Sequence, residues 1–261
     1  MKKLLIAIVV PLLWSCSHNS ATNNEGASQD HLIMATIWYQ NAPEMKALYH
    51  QGFNLAKANV ELAIKEKRTL PAAVVVDIDE TMLDNSPFEA EEIIRKQGYT
   101  SEFWKEWTSM SKAKALPGAV EFSQFCKEKG VQLFYISNRK VDELAATIKN
   151  LDSLGFAYAT ESNVILRSAE SSKKARRDTL SKSYDIVLLI GDNLNDFSEI
   201  FEERGTDWGS SLVEENKEEF GRKFIVLPNP MYGDWEKDLY GKAKLTEQQK
   251  DSVRRAVLVG F

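Results

Sequence analysis

The sequence predicts an α/β fold, with a parallel sheet between two layers of helices and a smaller helical lobe beside it. Two observations carry this reading. Short aliphatic runs without polar alternation recur at 72–76, Val131–Ile136, Ile186–Ile190 and Phe224–Leu227, as expected of strands buried on both faces. Helical stretches separate them, including Val120–Lys129 before Gly130 and Asp142–Leu154 before Gly155, and glycine just past a helix is the usual left-handed stop. Strands alternating with helices pair in parallel.

Before the first strand, Asn41-Ala42-Pro43-Glu44 predicts a helix start, with Asn41 as cap. Met45, Tyr49, Phe53, Ala56, Val60 and Ala63 then form one apolar stripe whose purpose is core packing. Between the first two strands lies an insertion of roughly 83–116, with Trp104 and Trp107 on a short helix after Thr100 or Ser101. It sits above the strand ends and, with the N-terminal helices, builds the lobe. The α/β core is thus expected at about 71–82 and 117–230, and the lobe from 31–70, 83–116 and part of the C-terminus.

The 261 residues carry ordinary globular composition, 43% hydrophobic and 27% charged. The first fifteen differ. Lys2 and Lys3 precede the apolar run Leu4–Leu13, which is too short to span a bilayer and fits a secretory signal. Residues 16–30 are small and polar, a tether. Loss of the leader takes the net charge from −5 to about −7, which argues against nucleic-acid partners, whose phosphates an acidic surface repels. Only Cys16 and Cys126 are present, so no disulfide framework is expected if Cys16 is modified, and Cys126 reads as a small buried apolar residue.

Ligands of an open parallel sheet bind beyond the carboxyl ends of its strands. There the sequence places Asp77-Ile78-Asp79-Glu80-Thr81, then Ser137-Asn138-Arg139, then Gly191-Asp192-Asn193-Leu194-Asn195-Asp196. Each cluster alone also reads as a turn or a solvated loop. Together they make a consistent site. Asp77 and Asp192 offer oxygen ligands for a divalent ion. Ser137 and Lys173 offer donors to a phosphate. A carboxylate nucleophile beside a second acid completes the requirements of phosphoryl transfer.

The string Val76–Pro87 (VDIDETMLDNSP), with Leu116–Phe122, Ser137–Lys140, Gly191–Phe197 and Pro228–Trp235, resembles the class C acid phosphatases of the haloacid-dehalogenase-like superfamily. Leu13-Trp14-Ser15-Cys16 resembles a bacterial lipobox, with Trp14 at a position that usually holds a small residue. The resemblance implies a Rossmann-like core. It implies that Asp77 carries the phosphoryl group and that Asp79 is the general acid and base. Mg2+ would be held by the side chains of Asp77 and Asp192 and the carbonyl of Asp79. Ser137, Asn138 and Lys173 would bind phosphate, with Lys174 the alternative to Lys173, and Asp196 would orient Lys173 or a metal-bound water. Phe88 and Tyr232 would touch the leaving group, and Trp235 would either join them or fill the lobe. The substrates implied are phosphate monoesters, including nucleoside monophosphates and arylphosphates. The same resemblance implies lipidation at Cys16, an exported protein held at the bacterial cell envelope (the outer membrane in known members), and a homodimer. The competing reading is a non-catalytic surface lipoprotein that binds phosphate or nucleotide, which would be expected to lack Asp77 or Asp79.

Overall fold

The computed structural model describes residues 28–241 and 243–261. The expected signal peptide, most of the tether and Cys16 lie outside the described residues. No helix among the described residues is long and apolar enough to cross a membrane.

Two helices, α1 (Ile33–Asn41) and α2 (Pro43–Ala63), lead into β1 (Ala72–Val76). Pro43 occupies the first turn of α2, where its missing N–H removes no bond. Asn41 does not cap this helix. It ends α1 and turns its amide back to the carbonyl of Ile37 at 3.1 Å, so Ala42 holds the capping position without a side-chain bond. The stripe from Met45 to Ala63 is buried as a face.

The insertion contains β2 (Leu83–Asp84), α3 (Ser86–Arg95), α4 (Ser101–Ser109) and β3 (Lys114–Ala115), with β2 and β3 pairing antiparallel. Thr100 starts α4 by accepting from the amide of Phe103 at 3.1 Å. Then come α5 (Ala119–Glu128), β4 (Gln132–Lys140), α6 (Leu144–Ser153), β5 (Val164–Arg167), α7 (Lys174–Leu180), β6 (Asp185–Gly191), α8 (Ser210–Glu215), β7 (Phe224–Val226), α9 (Asp234–Tyr240) and α10 (Glu247–Ala256). Gly130 and Gly155 both have the left-handed φ expected past a helix end.

Five strands form one parallel sheet in the order β5-β4-β1-β6-β7. Alternate residues of each strand feed two separate cores. Val74, Val76, Leu133, Tyr135, Leu188 and Ile190 pack with α2 and α5, while Ala73, Val75, Phe134, Ile136 and Leu189 pack with Leu180 of α7 and Phe197. This accounts for the three layers and for strands with no polar alternation. The edge strand β5 was not among the apolar runs read from the sequence, because Val164-Ile165-Leu166 is short and ends in a charged residue. Strand order reverses at β1, so the crevice at the carboxyl ends of β1 and β6 is the topological switch point.

Candidate active site

The loop leaving β1 is tightly wound, with the amides of Met82 and Leu83 both donating to the carbonyl of Ile78 at 2.9 Å. Glu80 within it has a φ of 54°, the left-handed region that non-glycine residues rarely occupy. Such backbone persists only where its surroundings determine it. Here the buried carboxylate of Glu80 accepts from the Asn85 amide at 2.7 Å and from the Tyr232 hydroxyl. The winding delivers Asp77 and Asp79 to one crevice.

Asp77 is buried and bonded to the ammonium of Lys173, which also pairs with Asp196 at 2.6 Å. Lys174 is exposed and pairs with Asp178 at 2.6 Å instead. Lys173 ends the loop before α7 while Lys174 begins the helix, and this alone separates two adjacent lysines. Asp192, beyond β6, accepts from the Asn229 amide at 2.9 Å. Oxygens of Asp77, Asp192 and Asp196 all lie within 4.8 Å of one another.

Three carboxylates around one ammonium leave negative charge uncompensated. Burial raises the Asp77 carboxyl to about 7; Lys173 opposes this, and Asp196 and Asp79 add to it. Loss of water, then Asp196 and Asp77, push Asp192 well above the usual carboxylate range, with Asn229 opposing. Burial also disfavours the charge of Lys173, but Asp196 and Asp77 outweigh it and hold the ammonium protonated. A crowded all-oxygen donor set whose ionisation is suppressed fits a hard divalent cation, because a cation restores the charged forms.

Asp79 is held by three neighbours. Ser137 donates to it at 2.9 Å, Asn85 at 2.9 Å, and the buried Arg139 guanidinium at 2.8 and 2.9 Å. Arg139 is fixed in turn by Thr147 at 3.2 Å and Asn85 at 3.3 Å, and the Trp107 indole donates to Asn85 at 2.8 Å. Asn138 is exposed at the rim, its carbonyl oxygen accepting from Arg176 at 2.7 Å, while Arg176 also donates to the Ser137 carbonyl at 2.7 Å. With its oxygen engaged, the Asn138 amide group is left to donate.

These features match known proteins. A family model of the HAD superfamily, subfamily IIIB (acid phosphatase), covers residues 15–235. The class C acid phosphatase of Bacillus anthracis is 42% identical, superposes with a TM-score of 0.85, and is matched over 89% of this chain and 98% of its own. A second structure of that protein, with tungstate bound, gives the same values. The chain belongs to this acid phosphatase family.

Weaker similarity extends to plants. A stem 31 kDa glycoprotein of Glycine max is 27% identical over 164 residues, 60% of this chain, and the match spans 58% of that protein's length. Vegetative storage protein 2 of Arabidopsis thaliana is 28% identical over 216 residues, 78% of this chain and 69% of its own.

Within this phosphatase chain the structure brings Asp77, Asp79, Ser137, Asn138, Lys173, Asp192 and Asp196 to one end of the sheet. The aromatics divide differently from expectation. The Phe88 ring is 2% exposed, enclosed by Phe103 at 4.9 Å and by Trp104 edge-on at 5.1 Å, so it backs Trp104 rather than facing the crevice. Tyr232 is half-buried with its hydroxyl committed to Glu80. Trp235, at 43% exposure, does not fill a core. A cavity of about 300 Å³ opens beside Asn138 instead, with Tyr99 and Trp104 in its wall. Arg139 stood in a quoted motif without a role, and Asn85, Arg176 and Asn229 also went unassigned. Their one signal was the density of polar residues beside strand ends.

Proposed function

We propose that the protein is a metal-dependent phosphomonoesterase that transfers phosphoryl groups to Asp77 and hydrolyses the aspartyl phosphate. The observation that carries this is Asp77 bonded to Lys173 within a carboxylate cluster while Asp79, two residues on, is held apart by Arg139, Asn85 and Ser137. The two acids therefore have different environments and different tasks.

Asp77, Asp192 and the main-chain carbonyl of Asp79 would hold the cation, Mg2+ by family resemblance. When bound it neutralises the repulsion between a carboxylate nucleophile and an anionic substrate. A carboxylate oxygen of Asp77 forms the new bond to phosphorus as the bond to the leaving oxygen breaks. Protonated Asp79 gives its proton to that oxygen. Asp79, now a carboxylate, accepts a proton from water as the water oxygen attacks phosphorus, which frees Asp77 and releases inorganic phosphate. Ser137, the Asn138 amide and Lys173 donate to the phosphoryl oxygens, and Asp196 keeps Lys173 charged and aimed. Tungstate in the Bacillus anthracis relative is a tetrahedral oxyanion, which supports a site shaped for phosphate.

Nucleoside monophosphates and arylphosphates are proposed as substrates, since the cavity beside Asn138 has aromatic walls able to take a ring. Export and a lipid on Cys16 belong to the same proposal, supported by the basic start and apolar run before it. Loss of radiolabelled palmitate in Cys16→Ser is the corresponding test. For catalysis, the protein from Ser17 onward is assayed with p-nitrophenyl phosphate, with Mg2+ and with EDTA, beside Asp77→Asn. Turnover that is lost on chelation, restored by Mg2+ and absent from the variant is expected. Turnover retained by Asp77→Asn would overturn the nucleophile, and turnover indifferent to chelation would overturn the metal.

A further inference from the structure

Along β4, Ser137 and Arg139 are buried and bonded to Asp79, while Asn138 and Lys140 are exposed and together line the cavity at the rim of the site. The β4–β5 register is irregular between Ser137 and Lys140, and the irregularity sets Lys140 directly opposite Arg167. Like charges placed opposite each other on neighbouring strands destabilise a sheet. Among the described residues, neither cation has an ion pair, and the Arg167 guanidinium has no hydrogen bond. Both line the cavity beside Asn138.

Glu102, Asp142 and Glu143 share that wall and Asp142 attracts Lys140, but among the described residues none forms an ion pair with either cation. Asp142 is taken by Lys105 at 2.5 Å. Glu143 is turned inward to the Thr108 hydroxyl and the Lys140 amide, each at 2.7 Å. Glu102 is exposed. Farther in stands Arg176, held below the usual arginine range by burial and then by Arg167 and Arg177, with Asp77 opposing. A row of positive charge thus runs from Lys173 at Asp77 through Arg176 to Arg167 and Lys140. Opposite it stand Tyr99 and Trp104, their centroids 6.4 Å apart, with Trp104 braced by Phe88 and by Arg139 at 5.7 Å.

Phosphate binding at Asp77 explains Lys173, but it leaves Lys140 and Arg167 without a task. We propose that they form a second anion subsite, and that the preferred substrates are phosphate monoesters whose aromatic leaving group carries a further phosphate, as in a nucleoside 3′,5′-bisphosphate. The ring lies against Trp104 and Tyr99, the scissile phosphate reaches Asp77, and the second phosphate supplies the charge that the opposed cations lack. A paired negative charge turns an unfavourable juxtaposition into a charge-assisted contact. The inference rests on the phosphatase reading above.

The test compares adenosine 3′,5′-bisphosphate with adenosine 5′-monophosphate, using the wild type, Arg167→Gln and Lys140→Gln. The ratio of kcat/KM for bisphosphate over monophosphate is expected to fall about tenfold in each variant, equivalent to about 1.4 kcal/mol. A ratio unchanged in both variants overturns the subsite. Failure of the wild type to release phosphate from either nucleotide or from p-nitrophenyl phosphate would count against the phosphatase reading instead. The subsite is then judged by titrating Mg2+-loaded Asp77→Asn with both nucleotides. Tighter binding of the bisphosphate that disappears with Arg167→Gln supports it, and equal affinities refute it. Melting temperature separates a structural role: relief of like-charge opposition predicts that Arg167→Gln melts no lower than the wild type, and a lower value would mean the residue serves the fold.

Discussion

Gly191 ends β6 directly beneath the acid cluster, and its lack of a side chain is what admits Asp196. A Cβ added there would lie 2.2 Å from the Asp196 Oδ2 and 2.6 Å from its Cβ, whereas real Cβ contacts stay beyond 3.0 Å. The Gly191→Ala variant therefore forces the carboxylate back by at least the difference, about 0.8 Å. Its bond to Lys173, now 2.6 Å, and its bond from the Asn193 amide, now 3.0 Å, cannot both survive that shift. A hydrogen bond to a buried charged group is worth about 1.5–3 kcal/mol. The expected loss is about 2 kcal/mol, or about 4–8 °C in melting temperature for a chain of this size. Displacement of Lys173 by a sizeable fraction of an ångström from the phosphoryl position should lower kcat/KM by about 100-fold. Thermal unfolding and p-nitrophenyl phosphate kinetics read the two effects. The double variant Gly191→Ala/Asp196→Gly removes both the carboxylate and the Cβ that the added methyl would meet, but also the partner of Lys173, so it should recover melting temperature without recovering activity. A single variant that melts like the wild type and keeps kcat/KM within about threefold would refute the steric argument.

Other expectations follow from the same geometry. Lys173→Met should reduce kcat/KM by about 100-fold or more while Lys174→Met changes it less than about twofold, because only Lys173 reaches Asp77. Arg139→Met should lower kcat by about tenfold or more, since it removes the guanidinium that fixes the Asp79 carboxylate in place; a kcat within about twofold of the wild type would refute that role. Burial raises Glu92 from 4.5 to about 7. The folded state then holds a proton that the unfolded chain releases, so this contribution to stability is full below about 4.5 and is lost as pH rises through about 7. Glu92→Gln should accordingly flatten the fall in melting temperature across that window, and an unchanged slope would count against it. Cys126 is fully buried, and burial pushes its thiol up to about 12, so it should react with a thiol reagent only after denaturation.

Much of this molecule is determined by sequence alone. Buried strands need continuous apolar runs and helices need apolar residues every three or four positions, so both can be read from local pattern. The acidic strings beyond β1 and β6 were legible because ligands gather at carboxyl ends of parallel strands whatever the remaining topology. The short edge strand β5 and the failed cap at Asn41 were not legible. The first depends on a neighbour to pair with, and the second on a helix arriving from the other side. The choice of Lys173 over Lys174 required knowing where α7 begins. Arg139, Asn85 and Gly191 acquire meaning only from groups 60, 6 and 5 residues away that the fold sets against them, Asp79 for the first two and Asp196 for the third. The opposed pair Lys140 and Arg167 is likewise a product of strand register, which no single segment encodes. Periodicity and strand-end chemistry are local quantities, whereas register, burial of charge and contact across the sheet exist only once the chain has closed on itself.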